Sequence, residues 1–145
     1  MSRKKLAAAA AALVLCASHV SAQDTSGVIS LELNRATASP EGGCSVVFFG
    51  KNGLDKALED VSWRLALFDA EGVFINLLSL PLGDLSAGKR RVVRYNLPAA
   101  CTEMSEIIVN DVATCKIDGV SGEDAAELCL SSLNVSTRTD IAFGL

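Results

Sequence analysis

From Val61 onward the side chains alternate with a period of two. Val61, Trp63, Leu65 and Leu67 fall on one side, and Ser62, Arg64, Ala66 and Phe68 on the other. Successive side chains of a strand point to opposite faces, so this pattern builds a half-buried strand and lays no apolar stripe along a helix. Asp69-Ala70-Glu71-Gly72 follows. An acidic residue opens that turn, and a glycine free to take positive φ closes it. Val73 to Leu80 is then almost wholly apolar, the composition of a strand covered on both faces. Ser86-Ala87-Gly88-Lys89 is a second turn and leads into Arg91 to Leu97. The stretch predicts a three-stranded antiparallel meander.

The flanking chain has the same grammar. Val28 to Asn34 alternates, Arg35 to Gly43 is a loop with Pro40 and Gly42-Gly43, and Cys44 to Gly50 is a strand apolar on both faces. Lys51-Asn52-Gly53 is a turn signal. Leu54 to Asp60 reads as a bridge holding at most one helical turn. Pro98 to Thr102 is a linker, and Ser105 to Lys116 is a strand long enough to need a bend or bulge near Asn110-Asp111. Gly122 to Leu130 predicts a short helix with Glu123, Asp124 and Glu127 towards its N-terminal end. Leu133 to Phe143 closes the chain as a partly polar strand. About seven short strands separated by turn signals predict an all-β, immunoglobulin-like antiparallel β-sandwich with one or two short helices, in a single domain over residues 23–145. Trp63 is expected in its core.

The first 22 residues read as a secretory signal peptide. Ser2-Arg3-Lys4-Lys5 is basic, Leu6 to Ala17 is apolar, and Val20-Ser21-Ala22 offers small residues at the cleavage positions. The apolar run is shorter than the roughly 20 residues a spanning helix needs. Leu15 before Cys16 is too large for a lipidation motif, and Arg3-Lys4 is a degenerate twin-arginine pair, so either export route is open. Cleavage removes the single histidine, His19, and three of the thirteen basic residues. Ten then face seventeen acidic ones, a charge of −7. An acidic surface without a dense basic patch argues against nucleic acid and anionic membranes. The expected location is periplasmic or secreted, with no membrane span after signal removal.

Cys44, Cys101, Cys115 and Cys129 remain, an even number suited to an oxidising compartment. Four cysteines allow three pairings. Placement favours Cys44–Cys101, which could meet at one end of the sandwich, and Cys115–Cys129, which would close the helical excursion onto its strand. No catalytic residue, cofactor or metal site is expected. A serine or cysteine triad needs a base, usually histidine, and no Cys-x-x-Cys knuckle suggests zinc or redox exchange. The acidic stretch from Asp118 to Glu127 lacks the spacing of a calcium loop.

One basic cluster stands out in an acidic chain: Lys89, Arg90, Arg91 and Arg94. Alternation places Arg90 and Arg94 on one face, and Arg91, Val93 and Tyr95 on the other. Such charges either guard an edge strand or bind an anionic partner, an envelope protein or an acidic glycan. Phe68 lies opposite the expected core face and is a second candidate for partner contact. Asn134-Val135-Ser136 fits a glycosylation acceptor.

The run Leu65 to Gly72, followed by Leu85-Ser86-Ala87-Gly88-Lys89, resembles the aromatic-Asp-x-x-Gly turn and Leu-x-x-Gly of FxLYD-type immunoglobulin-like domains in bacterial envelope proteins. Leu31 to Asn34, Cys44 and Val109-Asn110-Asp111-Val112-x-x-Cys115 are similar to small exported proteins of alphaproteobacteria that carry twin-arginine signals. The resemblance implies a fold and an exported location, and no activity. The sequence therefore points to a non-enzymatic interaction module stabilised by two disulfides. A thiol-redox or metal-handling protein and a carboxylate-only hydrolase are the alternatives, the latter needing two carboxylates in one cleft.

Overall fold

The computed structural model describes residues 26–145; the signal-peptide reading falls outside them. Two four-stranded sheets stack face to face. The first has the order β5-β2-β1-β7 and the second β4-β3-β6-β8. The strands are β1 (Ile29–Ala38), β2 (Cys44–Asn52), β3 (Leu58–Phe68), β4 (Phe74–Leu85), β5 (Arg90–Leu97), β6 (Glu106–Ile117), β7 (Leu133–Thr137) and β8 (Ala142–Gly144). One turn of 3-10 helix spans Cys101–Glu103, and helix α1 spans Gly122–Ser131. The fold is the all-β sandwich that the turn spacing predicts, with eight strands, but it is not wholly antiparallel: β7 and β8 each join their sheet in parallel.

Alternation supplies the core. Ile29, Leu31 and Leu33 of β1 and Val46 and Phe48 of β2 meet Trp63, Leu65 and Leu67 of β3 and Leu80 and Leu82 of β4, all essentially without solvent contact. Burial of this apolar area is the main driving force for stacking the sheets. The turn after β3 forms as its residues require. The Asp69 carboxylate accepts from the amides of Glu71 and Val73, at 3.0 and 2.7 Å, and Gly72 takes φ 76°. The expected bulge in β6 is present: Arg64 faces Asp111 and Leu65 faces Val109, so Asn110 is the extra residue. That extra residue sets Asp111 against the Arg64 guanidinium.

The meander is not what forms. β3 and β4 pair as expected, but β5 leaves that sheet and pairs with β2, Lys51 facing Arg90 and Cys44 facing Leu97. The cause is Asn52, read from sequence as part of a turn. It ends β2 with no solvent exposure. Its side-chain amide donates to the carbonyls of Lys56 and Leu85, at 2.8 and 2.9 Å, and its side-chain oxygen accepts from the Leu54 amide at 2.9 Å. Its backbone exchanges bonds with Gly88 and Lys89. The Ser86–Lys89 turn is thereby fastened to the end of β2, and the next strand can only extend along β2. The bridge before β3 is likewise not helical. Asn52 holds it open, and β3 starts at Leu58.

Two further expectations change. Val73 to Leu80 has the composition of a covered strand, yet β4 lies at a sheet edge with Phe74 and Leu77 exposed. The departure of β5 removes the strand that would have covered it. The closing strand divides. β7 runs parallel to β1 and β8 parallel to β6, in opposite sheets. Between them the Thr137 hydroxyl accepts from the Thr139 amide and the Thr139 hydroxyl from the Ile141 amide, at 3.0 and 3.2 Å. These side-chain turns compete with the strand ladder and carry the chain across.

Both favoured disulfides are present, Cys44–Cys101 and Cys115–Cys129. The first depends on a close approach. Gly43, at φ 81°, enters β2 where an added Cβ would lie 2.2 Å from the Leu97 carbonyl oxygen. The second holds α1 on β6, with Ala125 and Cys129 as its buried positions. Trp63 lies in the core and donates its indole N–H to the Cys129 carbonyl at 3.3 Å.

Replacing Asn52 with alanine strands the buried Leu85 carbonyl, at about 1–3 kcal/mol, and frees the part-buried Lys56 carbonyl and Leu54 amide, which water can partly satisfy. Urea denaturation followed by the fluorescence of Trp63 should show an Asn52→Ala loss of about 1–3 kcal/mol. Removing Cys115–Cys129 as a pair of alanines should cost about 3 kcal/mol, and removing Cys44–Cys101 about 4 kcal/mol, because the second closes the longer loop.

Candidate functional site

β5 is an edge strand, and its two faces do different work. Arg91, Val93, Tyr95 and Leu97 turn towards the opposite sheet, and Arg90, Val92, Arg94 and Asn96 turn to solvent. The split of the arginines is the one that alternation predicts. Arg91 donates to the Leu82 carbonyl at 2.6 Å, and the Tyr95 hydroxyl donates to the Pro81 carbonyl. Both acceptors belong to β4, the edge of the other sheet. Arg91 and Tyr95 therefore latch the two edges together on that side of the sandwich. Gly83, at φ 65°, leaves room for this: an added Cβ would lie 2.9 Å from the Arg91 guanidinium.

The outer row is different. Arg90 and Arg94 make no ion pair among the described residues, and Val92 between them is 63% exposed. The row offers two cationic groups flanking an apolar step in a chain of net negative charge. An exposed Arg-Val-Arg row fits an anionic surface that also presents apolar area, since guanidinium groups pair bidentately with carboxylates and stack on flat groups.

Phe68 does not join this row. It lies on the outer face of the second sheet, half-buried, with its ring edge-on to Phe74 at 6.1 Å between centroids. Phe74 precedes Pro81 by seven residues, about 23 Å of extended chain. Around Phe68 the outer face is apolar. Ala66 sits between Leu77 and Ile108 in register, and Phe74 is 56% exposed. Sequence reading found Phe68 by its position against the alternation. It missed Phe74 and Leu77, because an apolar run carries no mark of which strand will stand at an edge.

Two clefts lie away from the β5 row, and a smaller one, of about 260 Å³, is lined by Arg94 and Asn96 of that row with Glu41 and Ser45. A cleft of about 670 Å³ opens at one end of the sandwich beside Cys101, between Arg35 of β1 and Arg138 after β7. Arg138 is already paired with Glu32 at 2.9 Å. A second cleft, of about 530 Å³, is lined by Asp69, Glu71 and Glu103. Two of these carboxylates are occupied: Asp69 caps its own turn, and Glu103 accepts from the Ala100 amide at 3.1 Å. Among the described residues no group of three or more His, Cys, Asp or Glu side chains is placed to hold a metal ion. No helix among them is long and apolar enough to cross a membrane.

Comparison with family models, with curated proteins and with solved structures finds no match for this chain.

The latch is open to a direct spectroscopic check. Tyr95 is the only tyrosine, so ultraviolet titration reports it alone. Burial raises its phenol above the ordinary value of 10.0. The folded protein should ionise at higher pH than the protein in urea. A raised value favours the protonated, folded form. This contribution to stability is complete below about pH 10 and is lost as pH rises through the folded value.

Proposed function

We propose that this chain is a non-enzymatic interaction module of the cell envelope or its surroundings, and that it binds an anionic partner through the outer row of β5. The carrying observation is Val92, exposed between two guanidinium groups that nothing in the described fold uses. Guarding an edge strand needs charge alone. An exposed valine between the charges adds apolar contact, which interaction uses and guarding does not. Arg90 and Arg94 supply the charge, and Arg91 holds the strand in place from behind.

Disulfides on both sides of the sandwich suit an oxidising compartment. The export signal read in residues 1–22 and the resemblance to FxLYD-type exported domains support the same location. The partner class is an acidic protein segment or a carboxylate-bearing glycan.

Charge reversal tests the reading. Arg90→Glu with Arg94→Glu should abolish retention on an immobilised acidic polysaccharide and on acidic envelope proteins at physiological salt. Wild-type retention should fall as salt rises. Retention that is unchanged in the double variant would sink the assignment. Because neither side chain supports the fold, the variant should melt with the wild type.

A further inference from the structure

The division of the last strand leaves a gap on the far side of the first sheet from β5. β7 pairs with β1 only as far as Leu33 facing Thr137. From Asn34 onward β1 has no neighbour on that side, because the chain after β7 crosses to the other sheet and becomes β8. The cleft of about 670 Å³ lies there, with Cys101, Met104 and Ser105 on its other wall. Both walls are fixed. The Cys44–Cys101 disulfide ties one to β2. The Arg138 amide donates to the Leu33 carbonyl at 2.9 Å and, with the Thr137 and Thr139 hydroxyl turns, fixes the other. Met104 and Ile141 are buried beneath the opening, and Ala36 is half-buried beside them. A preformed concavity with an apolar floor and a few polar groups is the usual form of a small-ligand site.

The polar groups are charges that the fold leaves unused. In β1, Leu33 faces Phe48 and Arg35 faces Val47, so Asn34 is an extra residue. A bulge of this kind re-aims the side chains beside it. Arg35 lines the cleft and makes no hydrogen bond or ion pair among the described residues. Arg138 lines it from the other side. Its Nε donates to the Glu32 carboxylate at 2.9 Å, and the Asn34 side-chain amide donates to the same oxygen at 2.7 Å. Glu32 therefore fixes the direction of Arg138, while both terminal nitrogens of that guanidinium stay without a partner among the described residues. Asp140 also lines the cleft and is likewise unpaired among them.

We propose that this cleft binds a sugar acid, free or at the end of an acidic glycan. Its carboxylate lies between Arg35 and Arg138, since guanidinium groups bind carboxylates through paired N–H donors. Asp140 selects within the anions. It repels a compact, doubly charged phosphate and accepts hydrogen bonds from hydroxyl groups. A sugar ring supplies those hydroxyls and sets its C–H face over Ala36, Met104 and Ile141. The site does not rest on the β5 reading: β5 and β7 are opposite edges of the first sheet.

Nuclear magnetic resonance titration of the disulfide-bonded protein with galacturonate tests this, read on the arginine Nε–H signals. Both Arg35 and Arg138 should shift, with a dissociation constant on the order of 1 mM for so small a ligand. Arg35→Ala and Arg138→Ala should each weaken binding about tenfold, the loss of one charged hydrogen-bonding partner, with melting unchanged. Galactose, acetate and inorganic phosphate should each bind at least tenfold more weakly. Glu32 is a positioning residue, and two variants separate that role from its charge. Glu32→Gln keeps an acceptor for Arg138 and should bind several-fold more tightly than Glu32→Ala, although both lose the same charge. Digalacturonate binding more tightly than galacturonate assigns the site to a glycan end, and equal binding assigns it to the free sugar acid. No shift at either arginine with galacturonate up to about 20 mM, well above that constant, overturns the site. Phosphate or acetate binding as well as galacturonate overturns the ligand class, and equal binding by the two Glu32 variants overturns the positioning role. Arg90→Glu with Arg94→Glu should leave this titration unchanged, so failure here and failure of the β5 assignment are distinguishable.

Discussion

Asn52, itself without solvent exposure, makes three side-chain hydrogen bonds, and its backbone makes two more to the turn before β5. A buried amide is costly unless every polar atom is satisfied, and here every one is. The result is a junction where the end of β2, the bridge into β3 and the turn leaving β4 meet. Without it, the chain from β3 to β5 has the sequence of a simple meander in one sheet. With it, β5 is committed to the opposite sheet, and two stacked four-stranded sheets follow. A polar group at such a junction specifies which of two apolar packings forms, something that apolar burial alone leaves open.

The two edges this creates differ in kind. β5 keeps its charges and turns one of them inward as a latch, so its edge is both protected and anchored. β4 keeps the composition of an interior strand while standing at a border. The latch shields the end of β4 near Pro81 and stops before Leu77. Exposed apolar area along β4 is thereby confined to the short segment around Phe74 and Leu77.

Much of this was legible in the sequence. Alternation located β1 and β3, and apolar content and turn signals located β2 and β5, each within a few residues, and the Asp69 turn, the β6 bulge and α1 arose from local chemistry that local sequence records. Both disulfides could be inferred from where the cysteines fell relative to strand ends. What could not be read were choices between sheets. Asn52 looks like a turn residue, and its decisive acceptor on Leu85 is 33 positions away. The apolar run of β4 reports how much it wants covering, and not whether anything covers it. The division of the last strand had a visible signal, the polar run from Ser136 to Asp140, but its consequence depends on which sheet still has an open side. For the surface, Arg90 and Arg94 were recognisable as a charged row. The roles of Arg91 and Tyr95 were not, because their acceptors are backbone atoms of another sheet.

The chain's last two strands fill the remaining side of each sheet, β7 beside β1 and β8 beside β6. Ile29 is therefore paired with Leu133, more than a hundred residues later. Closing so long a loop is entropically costly, and folds dominated by such distant pairings assemble slowly. The first strand cannot gain its second neighbour until almost the whole chain has been synthesised. Until β7 arrives, one side of β1 has no partner, so the first sheet is completed only after the strands of the second have been laid down in the chain.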